Sequence, residues 1–462
     1  MSRSVVTAVS DRWEGALVTT LERGTDAQIA RRCPDLADLL AVAGSGLAQV
    51  AMISADLRGL DRTALDHLRE CSVAVVGIYP PGDEMAELHL RQLGILTVIP
   101  ADAGGDFIQA ALDGLEHEHG QVPMGLPRSG MRPAGASSGA GWAAGDGSSS
   151  AARDASRGDL QDGSGVAGLG GADPLEPPGI IIAVWGPAGS PGRTTVALNI
   201  ASELARLGQA TVLVDADTYG GCVAQSLSLL DEAPGLAAAT RSADQGSLDL
   251  AVLARLAPEV CTGLRVLTGI PKAERWPELR AAALEHVLTL TRQLGRFTVI
   301  DCGFSLEDDE ELSYDTLAPR RNAATLTSLA VADQVLAVGA GDPIGLQRLV
   351  RGLQELGTVA SAAPTVVVNR VRASAVGSRP ERRIREALIR FAGIDQPRFI
   401  PDDPATLDAA LLAGRSLAEV APDSHVRQSL VALACDISGM TVSQPGRRHP
   451  GSRRGRPRRE SA

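Results

Sequence analysis

Aromatic side chains are scarce in this 462-residue sequence, where Phe, Tyr and Trp together make up 3%. Its cores must therefore be built from aliphatic residues. Lysine is scarcer still: Lys272 stands alone among 44 basic residues, so a site that ordinarily uses a compact ammonium must use a guanidinium or go without. Cys33, Cys71, Cys222, Cys261, Cys302 and Cys435 are scattered, with no C-x-x-C and no clustered histidine. That pattern supplies neither a zinc site nor a disulfide framework, and the thiols read as reduced and structural. No run of 18 apolar residues occurs, and the opening MSRSVVTAVSDRW lacks the apolar stretch of a secretion signal. A cytoplasmic protein without a membrane span is expected. A net charge of -11 argues against a uniformly basic nucleic-acid-binding surface.

What is present is an alternation of short apolar runs with helix-like stretches. Over residues 1–117 the apolar runs VVTAVS, AQIARR, QVAMISADL, SVAVVGIY and ILTVIP alternate with helix-like stretches such as WEGALVTTLE, five β–α units that predict a small doubly wound parallel sheet. Residues 118–178 turn to Gly, Ser, Ala and Pro. Such a segment buries too little apolar area to offset its ordering entropy and is expected to be a flexible linker. The alternation resumes at GIIIAVWG and continues through 179–438, a second α/β domain. Residues 439–462 contain QPGRRHPGSRRGRPRRESA, with seven arginines and one acid, a tail too polar to fold alone.

The second domain opens with the continuous apolar strand IIIAVW, then GPAGSPGRTT, then VALNIASELARLG with helical spacing. Strand, Gly-rich loop and helix aim backbone N–H groups and a helix N-terminus at a phosphate. Gly189 and Gly192 permit close approach of the anion, Thr194 stands where a P-loop hydroxyl binds Mg²⁺, and Thr195 follows as a phosphate contact. The strict pattern G-x-x-x-x-G-K-[ST] is broken at Pro187 and Arg193. Downstream, ATVLVDADTYGG carries Asp215 and Asp217, and RFTVID ends in Asp301. Carboxylates at the C-terminal ends of parallel strands beside a phosphate loop are placed to hold hydrated Mg²⁺ and orient an attacking water.

This order of motifs resembles the ParA/MinD superfamily of P-loop ATPases, whose loop reads K-G-G-x-G-K-[ST]-T, and most of all its CpaE/TadZ branch, in which a receiver-like domain comes first. Against that loop, A-G-S-P-G-R-T-T keeps Gly189, Gly192, Thr194 and Thr195. It places Ala188 at the intersubunit signature lysine and Arg193 at the Walker lysine. The resemblance implies bound ATP and Mg²⁺, a water-orienting role for Asp217, a nucleotide-binding and catalytic role for Arg193 at the Walker position, and a metal set of Thr194, Asp215 and Asp301. PTVVVNRV and IPDDPATLDAALLAG continue the match and imply an adenine contact through Asn369, with Arg370 and Asp402 beside it. A nucleotide-switched homodimer follows, acting in pilus assembly, pole localisation or septum placement and recruited to pole, septum or nucleoid. The two lost lysines imply weak or absent hydrolysis. A partitioning ATPase and a non-catalytic regulatory scaffold are the alternatives.

In the first domain Asp56 occupies the phosphoacceptor position of a receiver, but only Asp11 lies near the first strand end, and VIPAD lacks the expected lysine. Aspartyl phosphorylation needs Mg²⁺ held by several carboxylates and a cation on the developing charge. The domain therefore reads as a flavodoxin-like pseudo-receiver that docks an unknown protein partner or serves dimerisation. His117 and His119 read as a solvated linker start. The run LEDDEELSYD at 306–315 reads as a solvated loop, with a basic partner as its alternative. RGRP in the tail resembles an AT-hook core; a solvated tail, or one that binds polyanions without specificity, is the first reading, and non-specific DNA contact through the arginines is its alternative.

Overall fold

In both halves of the chain the short apolar runs become parallel strands. The computed structural model describes residues 3–118, 178–189, 192–229, 234–308 and 319–440. The expected linker, His119, most of the acidic run and the Arg-rich tail lie outside the described residues.

The first sheet has five parallel strands, β1 (Arg3–Ala8), β2 (Ala27–Arg32), β3 (Val50–Ser54), β4 (Ala74–Tyr79) and β5 (Thr97–Pro100), in the order β2-β1-β3-β4-β5. This is the flavodoxin-like order. Alternate side chains face opposite layers. Val6, Ala51 and Ile53 pack on Leu39, Leu65 and Leu90, whereas Val5, Val50 and Met52 pack on Leu17, Leu21 and Ile108. Aspartates start three of the helices: Asp35, Asp61 and Asp83 each accept a hydrogen bond from a first-turn backbone N–H. The last helix, Gly105–Glu118, ends one residue beyond the boundary expected from composition. Asp56 lies two residues past β3, and its Oδ1 accepts a 2.6 Å hydrogen bond from Ser54.

The second sheet has eight strands: β6 (Ile180–Trp185), β7 (Thr211–Ala216), β8 (Glu259–Cys261), β9 (Leu264–Leu267), β10 (Phe297–Cys302), β11 (Gln334–Ala340), β12 (Pro364–Val371) and β13 (Arg398–Pro401). Their order is β13-β12-β11-β6-β10-β7-β9-β8. All neighbours are parallel except β8 and β9, an antiparallel edge pair. The short β8 was not legible in the sequence because two of its three residues are exposed and carry no apolar signal. On β6, Ile181, Ala183 and Trp185 serve the core on one face, and Ile182 and Val184 serve the other. Two-sided burial is why this strand reads as an unbroken apolar run. The chain leaves β6 through the helix Arg193–Arg206, skips over β10 to β7, and later returns to the opposite side of β6 with β11. That reversal opens a crevice at the C-terminal strand ends.

The described residues of the two sheets and their helices, within 3–115 and 178–440, fall in one compact unit. The helix Arg62–Glu70 packs against the helices Gly235–Asp244 and Ala281–Leu294. Arg280 Nη1 donates to Asp61 Oδ2 at 2.9 Å and to Asp244 Oδ2 at 3.2 Å, and Thr63 Oγ1 donates to Asp244 Oδ1 at 3.2 Å. Arg62 is 9% exposed and donates to the carbonyls of Ala243 and Gln92.

Candidate functional site

The loop after β6 closes on Gly192, whose φ of 98° is the left-handed region open to glycine. A Cβ there would also collide with the Asn369 side chain. Gly189, with φ of 68°, has the same double requirement, because a Cβ would run into the Arg348 guanidinium. From Gly192 the helix Arg193–Arg206 begins, so its unpaired N–H groups face the crevice.

Arg193 does not extend into that space. Its Nη1 donates to the Gly186 carbonyl at 3.2 Å and its Nη2 to Asp217 Oδ2 at 3.2 Å, while the buried Nε has no partner. The other Asp217 oxygen accepts from the backbone N–H of Tyr219 at 2.9 Å and of Gly220 at 3.2 Å. The two charges that flank the loop therefore neutralise each other.

Thr194 Oγ1 donates to Asp301 Oδ2 at 2.6 Å. Asp301 is fully buried, and its Oδ1 has no hydrogen-bond partner. Burial, reinforced by the Asp215 carboxylate, holds the Asp301 carboxyl well above the usual carboxylate range. Asp215 faces Asp301 across the β7–β10 register. It accepts from the N–H of Asp217 at 3.3 Å and of Val223 at 3.0 Å, and it is boxed in by Gly221 and Gly269, where any Cβ would press on its carboxylate.

Two cavities meet at the first turn of this helix. One, of about 420 Å³, is lined by Gly192, Arg193, Asp217 and Tyr219. The other, of about 620 Å³, is lined by Asn199, Arg370, Arg372, Asp402 and apolar side chains such as Leu198 and Leu407. Thr194, Thr195 and Cys222 belong to both. The combined site has a helix N-terminus and charge at one end and a half-apolar chamber at the other, which suits an anionic ligand with a planar, partly apolar body.

Of the residues singled out in the sequence, the structure gathers Gly192, Arg193, Thr194, Thr195 and Asp217 at the smaller cavity, and Arg370 and Asp402 at the larger. Asn369 is buried under Gly192 and is not part of the larger cavity's wall. Sequence reasoning missed Asn199 and Arg372. Asn199 donates to the Thr195 carbonyl at 2.8 Å and accepts from Leu417 N–H at 2.9 Å; its signal was a lone amide in an apolar helix face. Arg372 lies 3.7 Å from Asp402. It also missed a clasp between the loop after β7 and the segment after β10: Arg321 lies 3.9 Å over the Tyr219 ring and donates to Thr218 Oγ1 at 2.9 Å, while Tyr219 Oη donates to Asn322 Oδ1 at 2.7 Å.

The residues fit a hard cation. The orphaned Asp301 Oδ1 and the adjacent Thr194 hydroxyl are oxygen donors of the kind Mg²⁺ takes, a cation that usually completes its shell with water and ligand phosphates. No group of three or more His, Cys, Asp or Glu poised for a metal occurs among the described residues. Nor, among these, is any helix long and apolar enough to cross a membrane.

Residues 182–411 match the family model described as the CobQ/CobB/MinD/ParA nucleotide binding domain. Solved structures similar to the chain include the cell division ATPase MinD of Pyrococcus furiosus, with 22% identity, a TM-score of 0.44, and coverage of 56% of this chain and 99% of that one. The septum site-determining protein MinD of Pyrococcus horikoshii, complexed with Mg-ADP, gives 20%, 0.44, 56% and 95%. A ParA family ATPase of Chlorobium tepidum gives 17%, 0.46, 55% and 98%. No curated protein sequence matches the chain.

Proposed function

Residues 182–411 belong to the ParA/MinD superfamily of nucleotide-binding domains, and on that premise we propose that the protein is an ATP- and Mg²⁺-binding positioning factor that works as a nucleotide-switched homodimer with slow hydrolysis. The observation that carries this reading is the convergence of Gly192, Thr194, Thr195, Asp217 and Asp301 at the start of one helix, beside a chamber of about 620 Å³. In this reading the phosphates lie on the N–H groups of Gly192–Thr195, and the nucleoside enters the chamber near Arg370 and Asp402. Thr194 and Asp301 would hold Mg²⁺, with Asp215 opposite Asp301 on the neighbouring strand. Bound Mg²⁺ would neutralise phosphate charge. Asp217 orients water once Arg193 releases it.

The Arg193–Asp217 pair favours a second reading, a non-catalytic scaffold whose nucleotide site senses occupancy only. The first domain supplies the docking surface for a protein partner in either case, and the tail supplies any DNA contact. Calorimetric titration of the full chain with ATP and ADP, with and without Mg²⁺, and phosphate release on the same sample test both readings. Binding with slow release supports the switch, and binding without release supports the scaffold. Absence of binding by either nucleotide would sink the proposal.

A further inference from the structure

The phosphate loop lacks a free positive charge of its own. Ala188 brings no charge where the resemblance expects a lysine, and the Arg193 guanidinium is held by Asp217. A triphosphate arriving there meets a helix N-terminus with no uncommitted cation of the loop's own.

The helix Pro343–Leu356 supplies one. Asp342 caps it, accepting from the N–H of Ile344 and Gly345. Gly345, Arg348 and Gly352 are spaced three and four apart and so share one helix face. Both glycines lie in tight contact with the second sheet's strand ends and loop: a Cβ on Gly345 would press on Ala340, and a Cβ on Gly352 would lie 3.0 Å from both Pro187 and Trp185. Close packing at Gly352 sets the helix directly on the phosphate loop, and Arg348, one turn earlier, lays its guanidinium against the Gly189 backbone. Arg348 is exposed, and among the described residues it makes no ion pair or hydrogen bond. Of the two guanidiniums at this loop, only this one has its charge and its planar fork of donors uncommitted, the form best suited to phosphate oxygens.

We propose that Arg348 is the second phosphate-binding cation of the site, supplying from a distant helix the charge that position 188 lacks. The proposal rests on the reading that the site takes ATP. Its test is calorimetric titration of the full chain with ATP at low and high salt, for wild type, Arg348→Ala, Arg348→Gln, Arg348→Lys and Arg351→Ala, with thermal unfolding to verify the fold of each. The expected result is a loss of roughly tenfold or more in ATP affinity for Arg348→Ala and Arg348→Gln. Arg348→Lys should recover part of it, Arg351→Ala should match wild type, and the loss should shrink at high salt. A purely packing role for Arg348 would move neither the salt dependence nor the lysine rescue. Affinity within twofold of wild type for both neutral variants, or an equal loss in Arg351→Ala, overturns this inference alone. A wild type that binds no ATP overturns the proposed function and this inference together.

Discussion

Arg193 shows how the identity of one side chain sets the charge a loop can offer. A lysine at this position ends in a compact ammonium, whereas the longer, forked guanidinium reaches back to bridge the Gly186 carbonyl and Asp217. Under the proposed function nucleotide must compete with that pair, so Asp217→Asn is expected to tighten ATP binding by about three- to tenfold, because it removes both the competitor and a negative charge. The same variant should abolish whatever phosphate release the wild type shows. Unchanged affinity in titration calorimetry would refute the competition. Asp301 invites a second test, since a fully buried carboxyl with one unpartnered oxygen is costly to ionise. Asp301→Asn is expected to raise stability by about 1–3 kcal/mol in Mg²⁺-free denaturant unfolding. It should also eliminate the Mg²⁺ dependence of ATP binding. Persistence of that dependence would remove Asp301 from the metal set.

At the level of elements, the helix Ala281–Leu294 carries a titratable side chain into the layer between the two sheets. His286 has its pKa pushed down from 6.5 to about 4, first by burial and then by the positive charge of Arg62. With the folded value below the unfolded one, the unfolded chain takes up the proton first as pH falls. The contribution of His286 to stability is thus complete above pH 6.5 and is lost progressively towards pH 4. Asp244, on the helix Gly235–Asp244, has a raised pKa, chiefly through burial, and acidification relieves it. The opposing trends make the difference between wild type and His286→Gln the informative quantity. Chemical unfolding at several pH values should show wild type losing ground to the variant between pH 6.5 and 4. A pH-independent difference would contradict the assignment.

For the whole molecule, the consequential feature is that the receiver-like sheet and the nucleotide-binding sheet share one compact unit. Arg62 is central to that union. Its guanidinium is buried, and it donates to a carbonyl of each domain, Gln92 in its own and Ala243 in the other. Arg62→Ala leaves both acceptors without this donor and is expected to cost about 1–3 kcal/mol. Scanning calorimetry should then resolve two transitions, one per sheet, where the wild type unfolds in one. A single transition at the wild-type temperature would show that the domains are coupled by other contacts. The acidic and basic flanks of this contact, Asp61, Asp244 and Arg280, are partly exposed and should contribute less.

Both sheets were legible in the amino-acid sequence because their evidence is local. Two-sided burial makes β6 and β10 read as apolar runs, and helical spacing with terminal aspartates or glycines marks the helices. The order of the loop, Asp215, Asp217 and Asp301 along the chain sufficed to bring them to one end of a parallel sheet, since every β–α–β crossover returns a strand in the same direction. Tertiary structure alone decided where side chains from distant segments arrive. It turned Arg193 towards Asp217, set Asn369 beneath Gly192, and laid Arg348 against Gly189. It also joined Arg62 and Asp61 to helices more than 170 positions away. These contacts depend on strand order and on glycine-permitted close approach between elements, and residue periodicity carries no record of either.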